Sequence, residues 1–188
     1  MVGKTHVLGG SAFALGSYIV LRETGILNPD LESAAQLACI MPYAMWSATA
    51  PDFDQDNKDR AMASPINLAM QKFFNLMGAG HRSLKSHVYP ALIATVLSAI
   101  SITGVNIFGA SNSNSAVVYC MVILGMAMGL LSHLLLDLCT KDGIRINGKR
   151  YAFVPEIDLF KADGIVEQIV RRFLYVLNIL LFIVLFLL

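Results

Sequence analysis

Apolar residues gather along this chain in five windows, residues 7–21, 33–50, 88–109, 116–139 and 173–188, separated by polar segments. A helix needs about 20 apolar residues to cross the hydrocarbon core of a bilayer. The third and fourth windows reach that length outright. The first and last must recruit flanking residues or tilt, and the second is diluted by Gln36, Pro42 and Trp46. The pattern therefore predicts five membrane helices.

Two of the connections carry patterns of their own. In residues 64–78, Ser64 can cap a helix and Pro65 can occupy its first position. Ile66, Met70, Phe73, Phe74 and Met77 then recur at helical spacing, opposite Asn67, Gln71, Lys72 and Asn75. This predicts an amphipathic helix ended by Gly78, lying on the bilayer surface or packed as a core-facing helix of the loop. In residues 143–153, Asn147-Gly148 stands between short β-forming stretches, a strong signal for a tight hairpin. The polar run at residues 111–115 reads as a turn. The expected architecture is an all-α integral membrane protein with about five membrane helices, an amphipathic surface helix and a small cytoplasmic β-hairpin, forming a single domain over residues 1–188.

Composition agrees with a membrane setting. AVILMFWYC make up 56% of the chain and charged residues 14%, against about 25% charged in soluble domains. A net charge of +1 gives no argument for nucleic-acid binding. Lys4 and the stretch Ala12-Phe13-Ala14 imitate a secretory signal, but the apolar run between them is too short for one, so the segment is expected to be retained as a helix. Cys39, Cys120 and Cys139 are odd in number and lie in apolar segments, so they imply packing rather than a disulfide framework.

The basic residues are distributed unevenly. Lys4, five Lys and Arg in residues 51–87 and seven in residues 140–172 fall on one side of the bilayer if the connections alternate, leaving Arg22 on the other. The positive-inside rule makes the basic side cytoplasmic, with the N-terminus inside and the C-terminus outside. A bacterial inner membrane is the expected location.

His133 and Asp137 lie one helical turn apart, so both side chains share a face of the fourth helix. Such a pair can ligate a metal or join helices by hydrogen bonds, and polar groups of this kind in a membrane segment face the bundle interior. His6 precedes the first helix, Asp52, Asp54, Asp56 and Asp59 follow the second, and His81 and His87 precede the third. All four histidines thus fall at one membrane face together with several aspartates. Imidazole and carboxylate suit zinc or a similar divalent ion.

These residues resemble a family. His6, Pro51-Asp52-Phe53-Asp54, Gly80-His81-Arg82 with His87, and Ser132-His133 followed by Asp137, Thr140 and Gly143 are similar to the signature of the YdjM-like membrane-bound metal-dependent hydrolases. The resemblance continues to Gly164 and Glu167. The family is similar in motif to zinc-dependent phospholipase C and P1-type nucleases, which implies phosphoester hydrolysis at a helical zinc site. The pattern departs at two places. The family's paired histidines stand five apart, as in HRGxTHS, whereas His81 and His87 are six apart with Ser86 in the expected place; Gln55 replaces a histidine that often follows the aspartate pair.

The resulting expectation is a membrane hydrolase that uses a divalent metal, zinc by preference, on a phosphoester. Its metal ligands are His6, Asp54, His81, His133 and Asp137. Asp52 and His87 are further ligands or proton-handling groups, and Arg82 holds a phosphate oxygen or anchors the chain at the interface. Glu156 and Glu167 are weaker candidates, since acidic residues in a basic loop more often balance charge. The bilayer is the expected partner and a phospholipid or other phosphoester the expected substrate. Two rivals remain: a metal or proton transporter, which requires polar groups near the bilayer midplane, and a non-catalytic protein recruiting partners through its basic loops.

Overall fold

The computed structural model describes residues 3–25, 33–54, 82–108 and 114–187, with single positions at 72, 76 and 78. Among them lie five α-helices: α1 (Gly3–Glu23), α2 (Ser33–Ser47), α3 (Tyr89–Ile107), α4 (Asn114–Leu138) and α5 (Ile165–Leu187). Strands β1 (Ile144–Ile146) and β2 (Lys149–Tyr151) form an antiparallel pair between α4 and α5. Asn147 and Gly148 both have positive φ, 50° and 77°, as the tight hairpin turn requires. The amphipathic helix expected over 64–78 falls largely outside the described residues.

Among the described residues, three segments are long and apolar enough to cross a membrane: Leu84–Ile107, Ser115–Leu138 and Ile165–Leu187. The other two helices of the expected five do not meet that description, for different reasons. α2 has 15 residues with Pro42 inside, and at 1.5 Å per residue it extends roughly 22 Å, short of a 30 Å hydrocarbon core. α1 has 21 residues but is rich in small and polar side chains. Its Thr5, His6, Gly9, Gly10, Ser11, Ala12, Ala14, Leu15 and Tyr18 are all buried, because α2, α4 and α5 surround it.

α4 is the central post, packing on α1, α2 and α3. Small residues set the closeness of that packing. A Cβ at Gly125 would fall on the carbonyl oxygen of Ile40, and one at Gly129 on Ser47 Oγ and the carbonyl oxygen of Ala44. This glycine pair four residues apart on α4 lets the α2 backbone lie directly against it, as small residues do between membrane helices. From the other side Gly10 of α1 faces the same Ala44 carbonyl, 2.6 Å from the position a Cβ would take. Ser47 Oγ donates to the Met126 carbonyl at 3.1 Å and ties α2 to α4.

Farther along the helices the interior is apolar. Leu15 and Tyr18 of α1, Ile40 and Ala44 of α2, and Val117, Met121 and Leu124 of α4 form its main cluster, joined by Leu185 of α5. α5 starts well before its apolar window at 173, since Glu167 continues the stripe that Leu174 and Leu185 turn inward. It runs parallel to α1: Thr5 bonds to Glu167 and, farther along both helices, Ser11 bonds to Asn178. The outer faces of α3 and α5 expose Leu92, Val96, Ile100, Phe173, Val176 and Ile183, the composition of a lipid-facing surface.

Candidate metal centre

The candidate side chains reach the centre from several elements. His6 lies in the first turns of α1, and His133 and Asp137 occupy successive turns at the end of α4. After α2 the chain tightens into a 3-10 turn over Ala50–Asp54, and its Asp52 is 6% exposed. Before α3, Ser83 and Ser86 cap each other's backbone N–H groups and begin a π-turn, Leu84–Val88, closed by the Tyr89 N–H on the Leu84 carbonyl. A π-turn takes one more residue per hydrogen bond than an α-turn. That extra residue matches the six-residue spacing between His81 and His87, and His87 still arrives in the interior with 1% exposure.

His87 Nε2 is 3.3 Å from Asp137 Oδ2 and 3.3 Å from His133 Nε2, and His133 Nε2 is 3.4 Å from the same oxygen. The three atoms form a nearly equilateral triangle. Ligands about 2.0–2.1 Å from a tetrahedral ion are about 3.3–3.4 Å apart, so this triangle has the size of one face of such a shell. On the other carboxylate oxygen, His6 Nε2 lies 3.4 Å from Asp137 Oδ1, with its ring stacked on His133 at 3.9 Å between centroids. Asp52 Oδ1 stands 4.0 Å from His133 Nε2. His6, His133 and Asp137 are fully buried, and their donor atoms lie close enough together to hold a metal ion.

Hydrogen bonding fixes which nitrogens face the centre. His133 Nδ1 lies 2.7 Å from the Ala48 carbonyl oxygen, which can only accept, so that nitrogen carries the proton and the Nε2 lone pair points inward. His87 Nδ1 is engaged by Ser86 Oγ at 2.8 Å, leaving Nε2 toward the aspartate. Neither ring nitrogen of His6 has a hydrogen-bond partner among the described residues. Buried polar atoms are normally satisfied. Lone pairs converging on a buried carboxylate, with the His6 imidazole beside them, form a donor set that could hold a cation.

Arg82 lies against the centre. It is 8% exposed and has a positive φ of 54°, uncommon for a residue with a side chain. Its Nη1 donates to Thr140 Oγ1 at 3.0 Å and its Nη2 lies 3.5 Å from Asp137 Oδ1. The Thr140 hydroxyl in turn donates to the Asp137 carbonyl. The hairpin holds this arrangement in place, since the Arg145 N–H donates to the Arg82 carbonyl at 2.8 Å. Thus β1 is a wall of the site.

The structure gathers His6, Asp52, Arg82, His87, His133 and Asp137. His81 lies outside the described residues, as does the side chain of Asp54. Glu156 is exposed, whereas Glu167 is 2% exposed and accepts the Thr5 hydroxyl at 2.7 Å. Sequence reasoning passed over the Ala48 carbonyl, which no side-chain pattern can reveal, and Ser86, whose place in the spacing was the only hint.

No curated protein and no solved structure matches the chain. A family model described as YdjM inner membrane protein matches residues 1–155, a stretch holding every side chain of the centre and two of the three long apolar segments. With that match over most of its length, the chain belongs to the YdjM inner membrane protein family.

Proposed function

We propose that the protein is a membrane-bound, metal-dependent hydrolase of phosphoesters. The observation that carries this reading is the 3.3–3.4 Å triangle of His87, His133 and Asp137 donor atoms, with the orphaned His6 ring beside it. In this proposal His87, His133 and Asp137 hold an ion, zinc by preference for an N/O donor set of this size, and His6, His81 and Asp54 are ligands of this or a second divalent ion. A bound zinc supplies Lewis-acid polarisation of a phosphoryl oxygen and a nucleophile at neutral pH.

The protein's own groups do the rest. The Ala48 carbonyl keeps the His133 ring in the tautomer that presents Nε2. Asp52, close to that nitrogen but on a separate turn, is placed to accept the proton released in the attack. Arg82 commits Nη1 and Nη2 to Thr140 and Asp137, which orients the aspartate, while its buried Nε–H is the donor left to meet an anionic oxygen of the substrate. His133 and Asp137 lie in the last turns of the Ser115–Leu138 segment. A site at the end of a membrane crossing meets lipid headgroups, so the proposed substrate is a phospholipid.

Elemental analysis of detergent-purified protein tests the first step, and hydrolysis of a chromogenic phosphodiester and of phospholipid vesicles tests the second. Stoichiometric zinc and chelator-sensitive release of product support the proposal. A metal-loaded preparation that hydrolyses neither substrate overturns it in favour of a non-catalytic or transporting role.

A further inference from the structure

His133 and His87 each have an orienting hydrogen bond, from Ala48 and Ser86 respectively, and His6 has none among the described residues. Apart from the Asp137 oxygen 3.4 Å from its Nε2, what holds the His6 ring is its stacking on His133 and its backbone. The residue before it, Thr5, is fully buried and donates its hydroxyl to Glu167 Oε1 at 2.7 Å. The other oxygen, Oε2, accepts the Asp163 N–H at 2.6 Å ahead of α5. Glu167 thus sits in the first turn of that helix, where the macrodipole favours a negative charge.

A buried carboxylate is an expensive way to join two helices, because apolar residues of similar volume hold them at least as well. α1 and α5 already have a second polar link in Ser11 and Asn178. What Glu167 adds is a fixed point one residue from His6, supplied by a part of the chain beyond the family-matched stretch.

We propose that Glu167 is a positioning residue that sets the His6 imidazole through Thr5, so that α5 completes the centre without touching it. The metal consequence rests on the function proposed above, whereas the placement of His6 does not. The test is carbethoxylation of histidine by diethyl pyrocarbonate on chelator-treated full-length protein, read peptide by peptide by mass spectrometry, for E167A, T5V, T5S and N178A. His6 should react at least about tenfold faster in E167A and T5V than in wild type, T5S and N178A, with the His133 peptide protected in all. The T5V and E167A effects should not add, as expected for two ends of one contact. In preparations that bind zinc, the same two variants should lose about 10- to 100-fold in affinity, the range for loss of a supporting contact. A His6 peptide equally protected in E167A, T5V and wild type overturns the proposal. So does N178A exposing His6 as much as E167A does, since Glu167 would then be ordinary helix glue.

Discussion

At the scale of single residues, the centre depends on Asp137 more than on any other group. Its two oxygens face three imidazoles, with Oδ1 toward His6 and Oδ2 toward His87 and His133, and Arg82 approaches Oδ1. Removing the charge while keeping the shape, as in D137N, should lower metal affinity by more than about 100-fold, beyond the range for a supporting residue. H133A should do the same, and both should remain membrane-inserted. Zinc content after dialysis against a graded chelator series checks this, and two variants that retain wild-type zinc would remove the pair from the site. The pairing of these residues was legible in the sequence because helical periodicity alone puts positions four apart on one face. The tautomer of His133 was not, since the group that sets it is the backbone carbonyl of Ala48, a donor–acceptor choice that side-chain identity does not encode.

Elements carry the next level of control. The π-turn before α3 gives the spacing of His81 and His87 a structural sense that the sequence could only register as a departure. Deleting Lys85 should turn the Leu84–Val88 π-turn into an α-turn, restore a five-residue spacing and leave zinc content within about twofold of wild type; a deletion variant that folds but loses zinc would mean that the wider turn itself is required. The contact of α4 with α2 responds in the opposite way. At Gly129 an added methyl meets Ser47 and the Ala44 carbonyl, and overpacking of this kind typically costs about 1–3 kcal/mol. G129A should lower the midpoint of thermal unfolding in detergent, whereas G16A, on open ground, should not. The hairpin was readable from Asn147-Gly148 because only a few residues tolerate positive φ at both turn positions. Its use as a wall behind Arg82 was hidden, because a contact between residues 82 and 145 is tertiary.

The whole molecule joins charge to chemistry. Hydropathy marked the three long apolar segments, whereas α1 and α2 fall short of that description, since a helix enclosed by its neighbours needs small and hydrogen-bonding residues more than apolar ones. If five helices cross and the connections alternate, thirteen of the fourteen basic residues fall on one side together with the end of α4 that bears Asp137. The expectation from the positive-inside rule is that this side is cytoplasmic. Single cysteines in a background lacking Cys39, Cys120 and Cys139 check this: S113C should react with a membrane-impermeant thiol reagent in intact cells, and K58C only after lysis. Labelling of K58C from outside would invert the orientation and move the proposed hydrolase to the other leaflet.

The link between Thr5 and Glu167 spans nearly the length of the chain, which has a meaning for biosynthesis. A ribosome makes His6 well before Glu167, which follows only after the segments bearing His87, His133 and Asp137. If Glu167 sets His6 as proposed, the nascent chain lacks the geometry to retain an ion tightly until α5 has docked, and a product truncated before Glu167 would be left without a finished centre.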